Sequence, residues 1–262
     1  MVPFGYSIAA FAADDNRRGN TLMENGPMFL LNLRMEPYDR ALDLQHRLVA
    51  ARKERRGQDV LILLEHPPVI TLGRRADESH ITASPDLLAR LGVRVHRVER
   101  GGDVTYHGPG QIVGYPILNL RDYRQDVGWY IHSLEEVILR TLADFGIAAQ
   151  RVEGAVGVWV GGGKIAAIGA RIESWVTYHG FALNVDPDLR YFDLIIPCGM
   201  RDKAVTSMRR VLGTPVNLET VRCHLAHRFG EVFGVSLEEI TLPQCVVSAR
   251  EMEGYREMLG LS

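Results

Sequence analysis

Residues 156–185, VGVWVGGGKIAAIGARIESWVTYHGFALNV, decide the architecture. They read as three strands, over 156–160, 164–172 and 176–185, because aromatic, β-branched and small apolar residues run continuously between turn residues. Gly161-Gly162-Gly163 separates the first pair and Glu173-Ser174-Trp175 the second. Parallel neighbours need a crossover of about a dozen residues or more, so gaps this short leave only antiparallel connections. A simple doubly wound parallel sheet is excluded.

Outward from this stretch the same reading continues. Upstream, residues 28–33 form a buried strand. Pro37 then opens a helix through Tyr38, Ala41, Leu42, Leu48 and Val49 to a basic end at 52–56, with Gly57 as the stop. Residues 59–65 and 68–72 are core strands around the His66-Pro67-Pro68 turn, 85–91 a short helix and 93–98 a strand. Strands over 104–107 and 111–120 are joined by Gly108-Pro109-Gly110, and a helix over 128–145 repeats Leu134, Val137, Ile138, Thr141, Leu142 and Phe145 at helical spacing. Downstream come a helix over 217–233, a strand near Ile240 and a terminal helix after Ser248. The fold class is α+β, with a mixed, largely antiparallel sheet. One catalytic domain is expected over 28–242, between a loosely ordered extension at 1–27 and a helical tail at 243–262.

At 262 residues the chain is long enough to bury a core unaided, and 46% hydrophobic residues against 24% charged ones fit a globular protein. A net charge of -2 gives no field that would draw the whole molecule to nucleic acid. No apolar run is long enough for a bilayer span, and the N-terminal stretch matches neither a secretory signal nor a transit peptide. Cys198, Cys223 and Cys245, an odd number at wide spacing, suit a reducing cytoplasm.

Thirty basic residues include only three lysines, Lys53, Lys164 and Lys203. Lys53 and Lys203 lie among charged neighbours, whereas Lys164 follows three glycines and opens an apolar strand. Where charge alone is wanted Arg serves, but only Lys can release its proton near neutral pH when desolvated. A phosphate-binding P-loop is excluded, because Val158 stands six before Lys164 and Ile165 follows it. The Gly- and Ala-rich strand over 164–170 leaves volume beside it, for another backbone or for a ligand. Residues 100–111, RGGDVTYHGPGQ, read either as a glycine-rich β-turn with solvated polar groups or as a loop that approaches a ligand closely. Cys198 lies between Pro197 and Gly199, where a tight loop argues against simple burial of the thiol. Cys223 beside His224 and His227 lacks the further group and spacing of a metal site, and no metal site is expected elsewhere.

Four ordered motifs, RGGDVTYHGPGQ at 100–111, KIAAIG at 164–169, HGFALN at 179–184 and PCG at 197–199, make residues 30–240 resemble the lipoyl(octanoyl) transferases of lipoate biosynthesis. The resemblance implies the fold of the biotin and lipoate ligases, a mixed sheet with flanking helices and a smaller second sheet. It implies transfer of an octanoyl group from octanoyl-acyl carrier protein to a lysine of apo lipoyl domains, those of 2-oxoacid dehydrogenase complexes and of the glycine cleavage H protein. Cys198 would be the thioester-forming nucleophile and Lys164 the group that tunes it. Arg100, Gly101, Gly102, Asp103, Val104, Thr105, Tyr106, His107, Ala167, Ile168, Gly169, His179, Gly180, Phe181 and Ala182 would bind the acyl substrate, and His179 is also a second candidate base. No cofactor, nucleic acid or membrane is implied, and the protein is expected to be a cytoplasmic monomer. An ATP-dependent ligase on the same fold would need a nucleotide site and no cysteine intermediate. A non-catalytic binder of lipoyl domains would use neither Cys198 nor Lys164.

Overall fold

The computed structural model of the protein describes residues 27–196, 204–240 and 259–260. The expected N-terminal extension, the terminal helix after Ser248 and the loop carrying Cys198 lie outside these residues. In chain order the strands of the larger sheet are β1 (Met28–Met35), β2 (Val60–Glu65), β6 (Gln111–Ile117), β7 (Gln150–Val152), β8 (Ala155–Val160), β9 (Gly163–Glu173), β10 (Val176–Asn184) and β11 (Leu237–Ile240). Their spatial order is β11-β1-β2-β6-β10-β9-β8-β7. The smaller sheet is β4-β3-β5, built from β3 (Val69–Leu72), β4 (Arg94–Arg97) and β5 (Val104–His107).

Helix α1 (Tyr38–Lys53) carries the chain from β1 to β2, and these two strands are accordingly parallel. From β2 outward through β6, β10, β9, β8 and β7 every pairing is antiparallel, and the short gaps demand this of β7 to β10. β2 is buried on both faces. Val60, Ile62 and Leu64 pack in the core that α1 shares through Ala41, Leu48 and Val49, while Leu61 and Leu63 face the opposite core. That second core holds the apolar stripes of α3 (Val127–Asp144) and α5 (Leu218–Phe233). Asp126 and Asn217 cap these helices by accepting the amides of Trp129 and Thr220 (both 3.0 Å).

Three features differ from expectation. The strand foreseen over 111–120 ends at Ile117, and Leu120–Asp122 turns as a 3-10 helix capped by Asn119. The short helix α2 (Pro85–Arg90) lies where it is expected, whereas β7 and the short helix α4 (Met208–Leu212) were not foreseen. The β9–β10 hairpin closes on two residues, Ser174 and Trp175, since Glu173 already pairs with Val176; both central residues adopt left-handed φ values, 51° and 65°.

Candidate active site

Between the β9–β10 hairpin and the β5 edge of the smaller sheet lies a cavity of about 550 Å³. Its roof is the loop at 100–103, which Arg100 organises from within. This guanidinium donates to the carbonyl and hydroxyl oxygens of Thr71 (2.7 and 2.9 Å from Nη2) and to the carbonyls of Gly101 (3.0 Å) and Asp103 (2.7 Å). Arg100 is 7% exposed, so its charge holds the loop rather than facing a partner. The loop rests on β9 through a hydrogen bond from the Gly101 amide to the Ala170 carbonyl (3.0 Å). A Cβ on Gly169 would lie 3.0 Å from the Gly101 carbonyl oxygen, so here it is another backbone that fills the space beside the small-residue strand.

Further along β9 the space stays open. Ala167, Ile168 and Gly169 border the cavity, joined from β10 by His179, Gly180, Phe181 and Ala182 and from the roof by Gly101, Gly102 and Asp103. From β5, Val104, Thr105 and His107 reach it, but Tyr106 does not. Its ring turns into the smaller sheet's core, stacked on Tyr191 (5.1 Å between centroids) and edge-on to Phe192 (5.5 Å). Alternation along the strand separates Tyr106 from Thr105 and His107, because neighbouring side chains leave opposite faces, whereas Val104 shares the Tyr106 face and its core and meets the cavity at the start of the strand.

Lys164 opens β9, and its stem lies along Gly157, where a Cβ would stand 3.4 Å from the lysine Cε. The ammonium sits 4.8 Å from the centre of the Trp159 ring, a cation–π contact. Glu135, 5% exposed on α3, fixes this neighbour strand by accepting the Gly157 amide (3.0 Å) and a bond from Arg151 Nε (3.1 Å). Backbone bonds on the other edge tie Lys164 to the returning chain: its amide donates to the Ala204 carbonyl (2.8 Å), and its carbonyl accepts from Thr206 (3.0 Å). Cys198 itself lies outside the described residues, between Ile196 and Ala204.

A buried polar chain crosses the floor. Gln111 Nε2 donates to Asn184 Oδ1 (2.9 Å), Asn184 Nδ2 donates to the Thr206 carbonyl (3.0 Å), and Gln111 Oε1 meets His107 Nδ1 (2.7 Å). The amide oxygen can only accept, so His107 carries its proton on Nδ1. By the same logic His66 donates from Nδ1 to the Glu36 carbonyl (2.7 Å) and accepts from the Tyr115 hydroxyl at Nε2 (2.8 Å). Burial lowers the pKa of His66 to about 4 and of His107 to about 3, so both rings are neutral. His179 is lowered to about 3, again mainly by burial.

His179 pairs with Ala170 across the hairpin. Six residues of β9 separate Ala170 from Lys164, roughly 20 Å at ~3.3 Å per residue. The structure therefore places these two candidate proton carriers at opposite ends of the cavity. Sequence reasoning missed Gly157 and Glu135 altogether. Gln111 and Asn184 stood within the quoted motifs without a role.

The lipoyl protein ligase A/B catalytic-domain model matches residues 37–230. An octanoyltransferase of Gloeobacter violaceus is 47% identical over 222 residues, 84% of this chain and 97% of that protein. The chain belongs to the octanoyltransferase family. A second member, from Solibacter usitatus, is 52% identical over 196 residues, 75% of this chain and 88% of its own length. Membership makes the protein an acyltransferase. Its fold is also that of a bipartite lipoate protein ligase from Thermoplasma acidophilum, solved in a study of that ligase and its E2 lipoyl domain. The TM-score is 0.65 at 18% identity, over 90% of this chain and 98% of that one. No described helix of this octanoyltransferase-family protein is long and apolar enough to cross a membrane.

Proposed function

We propose that this acyltransferase carries an octanoyl group from octanoyl-acyl carrier protein to the side-chain amine of a lysine on apo lipoyl domains, in the cytoplasm and as a monomer. The observation that carries the reading is the cavity floored by Ala167, Gly169, Gly180 and Ala182, which runs from Lys164 under the roof at 100–103. Ala167 and Ala182 leave room for an unbranched chain, and Ile168, Phe181 and Tyr115 give that space apolar walls. Seven buried methyl and methylene groups at ~0.8 kcal/mol each contribute on the order of 5 kcal/mol, enough to hold the acyl group between two protein encounters.

In the proposed cycle the Cys198 thiolate attacks the carrier thioester. The tetrahedral intermediate collapses with loss of the carrier thiolate, which takes its proton from the Lys164 ammonium, so that an octanoyl thioester on Cys198 and a neutral Lys164 amine remain. The Lys164 ammonium favours the thiolate in the first step. In the second, the neutral amine of the acceptor lysine attacks the thioester, Lys164 takes the proton that nitrogen sheds, and the Cys198 thiolate leaves. Two observations support a placement of Lys164 beside that thiol: its backbone is bonded to Ala204 and Thr206, at the returning end of the loop, and its stem has a clear path along Gly157.

The acceptors in this reading are the lipoyl domains of 2-oxoacid dehydrogenase complexes and the glycine cleavage H protein. Acidic partners would meet the exposed Arg74 and Arg75, of which Arg75 borders the cavity, rather than the enclosed Arg100. Intact-mass measurement after mixing the protein with octanoyl-acyl carrier protein tests the proposal. A single hydroxylamine-labile octanoyl adduct is expected on Cys198, retained in Cys223→Ser and Cys245→Ser and absent in Cys198→Ala, with onward transfer in EDTA and without ATP. An adduct on another cysteine, or strict dependence on Mg-ATP, would overturn it.

A further inference from the structure

His179 departs from its strand in a way that packing alone does not require. Its φ is 52°, left-handed in the middle of β10, where a non-glycine residue is strained. Regular alternation would send Tyr178 and His179 to opposite faces. Instead the two consecutive rings stack, 4.9 Å between centroids at 26°, so the imidazole has been turned onto the Tyr178 side and borders the cavity. Gln45 of α1, wholly buried, accepts the His179 backbone amide at 2.8 Å and thereby holds the turned conformation. The ring is 1% exposed, and neither Nδ1 nor Nε2 has a hydrogen-bond partner. No hydrogen bond ties the ring down; its place in the cavity wall is what makes it limit whatever fills the cavity.

Distances say what that is. A Cβ on Gly157 would fall 2.6 Å from the Ala166 carbonyl oxygen, and the Lys164 stem leans over the same glycine, so the amine stands about level with Ala166. From there to Ala170, opposite His179, is four residues, about 13 Å at ~3.3 Å each. An extended eight-carbon chain spans roughly 9 Å from carbonyl to methyl with bonds of ~1.5 Å, and one van der Waals contact adds roughly 4 Å. The two lengths agree.

We infer that His179 is the end wall of the acyl slot and sets the chain length the enzyme accepts, with Gln45 as the residue that positions it. This inference rests on the acyl-transfer reading above. The ring closes the slot edge-on to Tyr115 (6.3 Å between centroids), and the terminal methyl of an eight-carbon chain would meet its face or edge.

Acyl carrier protein loaded with hexanoyl, octanoyl, decanoyl or dodecanoyl chains, offered in competition and read by mass as acyl-enzyme, tests it. Wild type should take octanoyl first. His179→Gly, which also relieves the left-handed strain, should move the preferred chain up by about two carbons, the depth of the lost ring at ~1.5 Å per bond. His179→Phe, with a larger ring, should favour hexanoyl. Gln45→Met keeps the volume of the side chain and loses the acceptor; it should broaden the profile and raise the octanoyl KM with little change in kcat. Thermal unfolding screens each variant for folding, and any two of the three suffice. Folded variants that all keep the wild-type profile would overturn the inference while leaving the transferase reading intact. Wild type that accepts no acyl chain from the carrier would overturn that reading and the inference with it.

Discussion

Lys164 is the residue at which chemistry and composition part company most clearly, since it is one of three lysines in a chain that otherwise writes its cations as arginine. Its ammonium lies 4.8 Å from the Trp159 ring, a contact that a guanidinium makes equally well. Lys164→Arg therefore separates the two roles proposed for this side chain. If only Coulomb attraction for the Cys198 thiolate matters, Arg preserves it and the thioester forms, subject to the larger head. Proton uptake from the acceptor amine is another matter, because a guanidinium with a pKa above ~12 stays charged throughout the cycle. We expect the variant to form octanoyl-enzyme and to fail in the second half-reaction, with a loss of about 100-fold or more, the usual scale of general acid–base catalysis. Single-turnover kinetics that follow the two half-reactions separately decide it. Near-normal transfer to the lipoyl domain would take Lys164 out of proton transfer. His179 would not inherit the role, since its partner Ala170 stands roughly 13 Å along the strand from the level of the Lys164 amine.

Among the elements, the β9–β10 hairpin matters most, for it carries Lys164 at one end of the slot and His179 at the other. Its turn is built from two left-handed residues, Ser174 and Trp175, neither of them the glycine or asparagine that such turns favour. Trp175 packs against the large core and is not free to change, but Ser174 contributes little beyond the carbonyl that accepts from Arg121 (2.6 Å). Asn tolerates the left-handed region better, so Ser174→Asn should stabilise the protein by about 0.5–1 kcal/mol, read as a higher urea midpoint at unchanged slope. A lower midpoint would show that the turn's strain is relieved elsewhere. The hairpins were legible in the sequence because their gaps are too short for crossovers, and the long helices because their apolar spacing extends over many turns. β7 was not: its three residues are held at the sheet edge by tertiary bonds between Arg151 and the carboxylates of Glu135 and Glu136. The cavity's residues were legible as motifs, but their facing was not. Tyr106 sits in a strand of four residues, too short to reveal which face is inward. The turned ring of His179 depends on a glutamine 134 positions away in sequence.

For the whole molecule, the site and acid stability are linked through the same buried rings. His66, His107 and His179 are 0%, 7% and 1% exposed, and burial lowers their pKa values to about 4, 3 and 3. In the unfolded chain each titrates near ~6.5. Below that pH the unfolded state binds protons that the folded state refuses, so stability present above pH ~6.5 is lost as pH falls toward the folded values. Each ring contributes about 1.4 kcal/mol per pH unit in that interval, and three together approach 4 kcal/mol per unit. Carboxylates with depressed pKa values, such as Glu136 and Asp144, lose their share only below the ordinary carboxylate range, so they do not shape the window between pH 6.5 and 5. Asp59, whose pKa burial raises, acts in the opposite sense and offsets at most one of the three protons. Urea unfolding measured at half-unit steps from pH 7.5 to 5 should therefore show a steepening loss of stability. His107→Gln, which keeps a hydrogen-bond donor toward Gln111, should reduce the limiting slope by one proton while lowering stability at neutral pH. A flat profile across this window, or a His107→Gln slope equal to that of the wild type, would mean that the rings already exchange protons with solvent in the folded state, and that the cavity bordered by His107 and His179 is open to water.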